Sequence, residues 1–273
     1  MLRPPIEAIH PARVPAIPDA MPGGILYQAK LDGWRALAFI DADHVVLQSR
    51  SGKILTDQFP EILPALTSRP AGTVLDGEIV AWRDGAFDFG SLARSPRARQ
   101  RTGVAISYIA FDLLCENGRD IRKILLEARW PRLLTALQDT PEQLQPVLAT
   151  RDRSEAESWM RLLAPLGMEG LVCKALASPY RNTPGVWVKY RHSDTVDARL
   201  IGTVGPAGHT HSARIRLPDG RELTTIALTR AHAAAVTKAL ANRPANAPDP
   251  IVEVQVSGDR HPRARFVRLR PDE

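Results

Sequence analysis

Lys30-Leu31-Asp32-Gly33-Trp34-Arg35 is the first segment whose residue types point to chemistry. A strand running through Ala29 places Lys30 and Asp32 on one face as the chain enters a turn, because side chains alternate along extended backbone. Gly33 then lets the main chain approach a bulky ligand closely. A lysine flanked by an acid and an arginine suits attack on phosphorus, once nearby cations or a metal have helped the amine lose its proton. Read alone, the segment is equally well a surface turn with solvated charges.

Further along stand Ser49-Arg50-Ser51-Gly52, Leu75-Asp76-Gly77-Glu78, Phe111-Asp112-Leu113-Leu114, Glu169-Gly170-Leu171-Val172-Cys173-Lys174 and Trp187-Val188-Lys189-Tyr190-Arg191. Each has a plain structural explanation. Glu78 and Glu169 read as strand-end carboxylates, the Asp-Gly and Glu-Gly pairs as turns, and Phe111 as a core aromatic. Together they supply a nucleophile, two carboxylates, an aromatic and several cations. That inventory suits a nucleoside triphosphate held with a divalent metal and captured at its α-phosphate.

The elements that must position these residues follow from periodicity and breakers. Strands are predicted over 25–29, 35–40, 43–48, 104–114, 170–174 and 186–190, and over 73–82 with an interruption at Asp76-Gly77-Glu78. Helices are predicted over 59–66, 124–137 and 155–166, the last capped by Ser154. Residues 91–101 are polar, with four arginines between Arg94 and Arg101. Residues 1–24 are Pro-rich and aperiodic and read as an extended arm on the surface. From about residue 195 the texture changes to five short strands (196–204, 213–217, 222–228, 251–256, 265–269). An Ala-rich helix over 230–240 is expected between the fourth and fifth of these strands or nearby. Pro218-Asp219-Gly220 is a hairpin turn. The expected architecture is α+β: an antiparallel-sheet domain over 1–194 and a small Greek-key barrel of the OB-fold type over 195–273.

Composition agrees with this reading. The chain has 273 residues, 44% hydrophobic, enough for a sizeable core in two domains. Its 36 basic and 30 acidic side chains give a net charge of +6. Residues 196–273 hold 12 of the basic and 8 of the acidic ones, so the bias toward a polyanion lies mainly there. Arg260, Arg263, Arg265, Arg268 and Arg270 place five arginines in eleven residues, a candidate grip on a nucleic-acid backbone. The basic residues are 30 arginines and only six lysines: Lys30, Lys53, Lys123, Lys174, Lys189 and Lys238. Only lysine can give up its proton to act as a nucleophile, so its positions carry information. Cys115 and Cys173 are too few for a disulfide scaffold or a paired-cysteine zinc site. His209 and His211 lack a third metal ligand nearby, and Gly202, Gly205 and Gly208 have no following helix to make a dinucleotide loop. With no apolar run of membrane length and no signal-peptide core, a cytoplasmic protein is expected.

In this order the segments resemble the covalent nucleotidyltransferases, and specifically the ATP-dependent DNA ligases of bacteria, across nearly the whole chain. The resemblance implies that Lys30 attacks the α-phosphate of ATP and holds AMP as a phosphoramide. AMP then passes to the 5′-phosphate of a nick in duplex DNA, and the 3′-hydroxyl displaces it. It implies that Arg35 and Arg50 hold the ribose and later the nick phosphate. Glu78 would bind ribose or metal, and Glu169 would place a Mg²⁺ or Mn²⁺ ion. Phe111 would stack on adenine, while Lys174, Lys189 and Arg191 would neutralise the α-phosphate. Ala29 and Gln28 join the nucleotide site beside the nucleophile. The family often has Glu at the latter position to read the adenine amino group, and Gln28 accepts through its carbonyl instead. The last motif usually reads Arg-x-Asp-Lys. Here Arg270 and Asp272 match it, but Glu273 stands in place of the lysine.

The resemblance further implies a monomer of minimal two-domain type, working in repair with a possible protein partner. With 29 residues ahead of Lys30, neither a nicotinamide-binding domain nor a large DNA-clamping domain is expected. An RNA ligase would need a different second domain. A GTP-using capping enzyme shares the chemistry, and a non-catalytic nucleic-acid-binding relative would not keep Lys30, Glu78, Glu169 and Lys189 together.

Overall fold

The computed structural model describes residues 2–191, 195–206, 209–244, 247–257 and 262–270. The chain divides into two compact units, Met1–His192 and Ser193–Glu273.

Two largely antiparallel sheets build the first unit. One has the strand order Ala12–Arg13, Trp187–Arg191, Gly170–Ala175, Ile25–Lys30, Ala149–Thr150. Alternate residues along its strands face opposite ways. Tyr27, Ala29, Leu171, Cys173 and Val188 pack into a core with Ala156, Trp159 and Met160 of the helix Arg153–Leu162. The intervening residues Gln28, Lys30, Val172, Lys174, Trp187, Lys189 and Arg191 share the opposite face and line a cavity, apart from the backbone of the strands themselves.

The other sheet runs Val45–Ser49, Trp34–Ile40, Thr73–Arg83, Ala105–Glu116, Arg119–Asp120, and buries Ala36, Ala38, Leu75, Ile106, Tyr108 and Ala110. Only three residues, 31–33, join strand Ile25–Lys30 of the first sheet to Trp34–Ile40 of the second. Lys30 therefore lies where the chain passes from one sheet to the other.

Several local expectations are corrected. Strand Thr73–Arg83 runs through Asp76-Gly77-Glu78 without a break, with two register shifts against its neighbour, between Val74 and Leu75 and between Asp76 and Gly77. Gly77 provides room rather than a turn: a Cβ there would lie 2.5 Å from the Tyr108 ring. Asp152, not Ser154, caps the helix Arg153–Leu162, accepting from the backbone N–H of Ser154 at 2.7 Å and of Glu155 at 3.3 Å. The N-terminal segment is not a loose surface arm. Ile6, Ala8 and Ile9 are buried, and Ile6 and Ile9 join Leu37, Phe39, Val74 and Trp187 in one cluster. Its prolines prevent a helix but leave its isoleucines free to dock.

The second unit is a five-stranded antiparallel sheet in the order Glu222–Thr224, Ser212–Arg216, Thr195–Val204, Ile251–Ser257, Arg263–Leu269. Thr225 pairs in parallel with Ala264, and Ile226 N–H donates to the Ala264 carbonyl at 2.8 Å. These bonds join the two edges, so the sheet curls into the expected barrel. The helix Arg230–Ala241 follows the third strand rather than the fourth, with Thr229 Oγ1 capping His232 N–H at 3.2 Å. Its Val236 fills the barrel core beside Leu200, Ile215, Val252 and Phe266.

Candidate active site

A cavity of about 650 Å³ in the first unit is lined from both sheets. Strand register orders one wall into rows: Lys30 with Gly170 and Arg191, Gln28 with Val172 and Lys189, Leu26 with Lys174 and Trp187. On the other sheet Arg35 and Glu78 are cross-strand partners, and Glu78 pairs with Ile109. Phe111, two residues beyond Ile109, faces the same way. Gln28, Ala29, Lys30, Arg35, Arg50, Glu78, Phe111, Lys174, Lys189 and Arg191 all line this one cavity. Glu169 reaches it through its partners: Lys30 Nζ donates to Glu169 Oε2, and Arg191 Nη2 lies 3.1 Å from the same oxygen.

Gly33 lets the lysine turn close against the second sheet. A Cβ on it would meet the Ile79 carbonyl oxygen at 2.4 Å and Glu78 Cγ at 2.7 Å. The loop after strand Val45–Ser49 is similarly fixed, with Gly52 at φ +87° and the Lys53 N–H donating to Ser49 Oγ at 3.0 Å. It presents Arg50, Ser51 and Lys53 to the cavity.

Charge is unevenly spread around the cavity. Burial lowers the Lys189 pKa, and the neighbouring cations Lys30, Arg191, Arg50 and Arg13 lower it further. Cations gathered in this way form a site for a polyanion. Burial pushes Glu78 up to about 8, against the pull of Arg35 and Lys30 in the other direction. A carboxylate held at such a cost to its charged form is suited to meeting a cation. Among the described residues there is no cluster of three or more His, Cys, Asp or Glu. Mg²⁺ commonly takes only one or two carboxylates and completes its shell with phosphate oxygens and water. Glu78 and Glu169, both hard oxygen donors, fit a metal that arrives with a nucleotide and do not make a cage for one on their own.

The far end is aromatic. The Phe111 and Trp187 rings meet edge to face at 6.2 Å. Lys174 is 1% exposed, its Nζ donating to the Phe111 carbonyl at 2.9 Å and sitting 3.6 Å from the Trp187 ring centroid. Burial pulls this lysine down to about 7. Gln28 Nε2 also donates to the Phe111 carbonyl, at 3.2 Å, which orients the amide and leaves Oε1 for another donor. Arg35 is committed to the protein: Nε and Nη2 grip the Asp76 carboxylate at 3.0 and 2.6 Å, and Nη1 donates to the Ile9 carbonyl.

Some residues of the site escape a reading by motif. Asp76 is fully buried and also accepts from Tyr180 Oη at 2.7 Å. Its place two residues before Glu78 was the available signal, since both lie on one strand face. Asp112 is bound in a buried pair by Arg129 Nε and Nη2 at 2.8 and 3.0 Å, and nothing local in the sequence links these two. Trp187 is the floor of the cavity, and its indole N–H has no hydrogen-bond partner among the described residues.

In the second unit Arg263 and Arg265 are exposed on the last strand. Arg268 Nε donates to Glu253 Oε2 at 2.6 Å, and Arg270 Nε to Asp197 Oδ1 at 3.0 Å. Arg260 and Asp272 lie outside the described residues. No helix among the described residues is long and apolar enough to cross a membrane.

Comparison with known proteins gives the same family throughout. The family model for the ATP dependent DNA ligase domain matches residues 10–191. DNA ligase C2 of Mycolicibacterium smegmatis is 33% identical over 191 residues, 67% of this chain and 54% of the relative. The multifunctional non-homologous end joining protein LigD of Pseudomonas aeruginosa is 32% identical over 208 residues, 74% of this chain and 24% of that protein. The crystal structure of the ligase domain of M. tuberculosis LigD shares the fold with a TM-score of 0.61 at 23% identity, covering 98% of this chain and 96% of that one. The chain spans little more than half the length of the curated relatives it matches first.

Proposed function

Because the chain belongs to the ATP-dependent DNA ligases, we propose that it seals 5′-phosphate/3′-hydroxyl nicks in duplex DNA through an AMP carried on Lys30. The observation that carries this reading is the meeting of Lys30, Glu169, Arg191, Lys189 and Arg50 at one end of a cavity whose other end is Phe111 and Trp187.

The roles follow from position. Adenine lies against Phe111 at the aromatic end, with Gln28 Oε1 accepting from its amino group. The α-phosphate then falls among Lys30, Lys189 and Arg191. The Lys30 amine forms an N–P bond as the bond from the α-phosphorus to the bridging oxygen breaks, and pyrophosphate leaves with the electron pair. Glu169 Oε2, already hydrogen-bonded to Nζ, is the acceptor in line for the proton. Such a step asks for positioning and for cations at the phosphate oxygens more than for covalent help from the protein. Glu78 and Glu169 are the residues that would hold a divalent metal arriving with the nucleotide, which would supply Lewis-acid charge to the phosphates. Arg35, bound to Asp76, acts as a rigid floor beside the ribose. The exposed arginines of the second unit, Arg263 and Arg265, are suited to the DNA backbone. A relative named for non-homologous end joining supports a role in break repair, with a repair protein as partner.

The test is transfer of label from α-labelled ATP or GTP to the protein with Mg²⁺, comparing wild type with Lys30→Ala. Nick sealing is then followed on a duplex. Label from ATP alone, lost in the variant, is expected. Label from GTP moves the reading to a capping-type enzyme, and no label from either sinks it.

A further inference from the structure

The docked N-terminal segment does more than cover apolar surface. Ala12–Arg13 is an edge strand parallel to Trp187–Arg191, with Ala12 opposite Val188 and Arg13 opposite Lys189. The row Gln28, Val172, Lys189 thereby gains a fourth member, Arg13. Register partners in a sheet point to the same face, and Lys189 points into the cavity. Pro11, two residues before Arg13, lines the cavity as well, and so does His10. Period-two alternation puts Pro11 and Arg13 on one side.

The segment is held firmly. Ile6 and the Gln48 side chain exchange hydrogen bonds at 2.9 and 2.7 Å. The Ile9 carbonyl accepts from Arg35, and the His10 N–H donates to Asn182 Oδ1 at 2.9 Å. Val14 N–H closes the strand onto the Lys189 carbonyl at 3.1 Å. The Arg13 charge is felt by Lys189, whose ammonium it disfavours together with Lys30, Arg191 and Arg50. Among the described residues no carboxylate forms an ion pair with Arg13. An exposed guanidinium placed by main-chain pairing beside like charges is unfavourable unless an anion joins them.

We propose that Arg13 is a phosphate-binding residue of the nucleotide cavity, set beside Lys189 by the docked segment. This rests on the ligase reading above. Two phosphates could be its ligand, those of the nucleoside triphosphate or the 5′-phosphate of the nick, and separate steps of the reaction tell them apart.

The experiment compares wild type, Arg13→Gln and Arg13→Lys in two assays: self-labelling from α-labelled ATP, and sealing of a nick already carrying AMP on its 5′-phosphate. Gln keeps the backbone pairing and removes the charge. We expect Arg13→Gln to slow one step by roughly tenfold, the size of a lost charge-assisted contact, with its thermal midpoint unchanged. Loss in the first assay assigns the triphosphate, and loss in the second the nick phosphate. Arg13→Lys is expected to recover most of the rate, which a purely structural defect would not allow. Arg13→Gln equal to wild type in both assays overturns the proposal, as does an Arg13→Lys protein as slow as Arg13→Gln. If wild type itself neither takes label nor seals, it is the ligase reading that has failed, not the assignment of Arg13 within it.

Discussion

Arg35 and Asp76 form a two-pronged ion pair under the cavity, Nε to Oδ1 at 3.0 Å and Nη2 to Oδ2 at 2.6 Å, with the Asp76 side chain wholly buried. A motif arginine that sequence would assign to the ligand is thus held by a carboxylate on the neighbouring strand. Removing the acid leaves a mostly buried guanidinium without its counter-charge. We expect Asp76→Asn to cost about 3 kcal/mol and to lower the thermal midpoint by roughly 6–12 °C in a domain of this size. Self-labelling should fall with it. An unchanged midpoint would show that the pair does not support the fold.

Lys174 gives the site a pH signature. Its folded pKa, drawn down to about 7 by burial, lies below the ordinary 10.5. Between these values the unfolded chain binds a proton that the folded chain does not, so this group adds stability as pH rises from 7 to about 10. Below pH 7 both states are charged and the cost of burial is constant. Lys174→Met should therefore be more stable than wild type at pH 6, with that advantage shrinking toward pH 10. Urea midpoints of the two proteins at pH 6, 8 and 10 check this, and a difference that does not change with pH would refute it.

Base selection should depend on Gln28. One N–H of its amide is given to the Phe111 carbonyl, which orients the side chain with Oε1 as the acceptor for the base amino group. Gln28→Leu should reduce the preference for ATP over inosine triphosphate by roughly tenfold, since inosine offers no amino group and the leucine cannot accept from one. The ratio of self-labelling rates with the two nucleotides measures it directly. A ratio unaffected by the substitution would place base reading elsewhere.

Two glycines separate crowding from backbone conformation. Gly77→Ala drives a methyl into the Tyr108 ring, 2.5 Å away, and should cost about 2–3 kcal/mol. At Gly52, φ is +87° and nothing lies within 4 Å, so alanine there should cost only about 1 kcal/mol through the backbone. Unfolding midpoints in urea give both values, and the expected order is the test.

Much of this site could be read before the fold was known. Gln28 and Lys30, like Lys189 and Arg191, lie two residues apart on strands whose intervening residues, Ala29 and Tyr190, are largely apolar, and alternation alone puts each pair on one face. Phe111 and Glu78 enter the site only through the family resemblance, because residues 76–78 read as a break in their strand and Phe111 as a core aromatic, whereas the barrel strands of the second unit follow from their lengths and turns. Other features had no local sign. The N-terminal segment looked unstructured because prolines and scattered apolar residues carry no period, yet Ile6 and Ile9 dock it. Lys174 and Lys189 have the same residue type, but one is sealed by Trp187 and Phe111 and the other faces the cations. Lys30 meets Glu169 across 139 residues and Arg35 meets Asp76 across 41. Sequence determined which side chains share a strand face, because that depends on a period of two within a few residues. Only the tertiary structure decided which carboxylate answers which cation, because strand order and register are set by burying faces far apart in the chain.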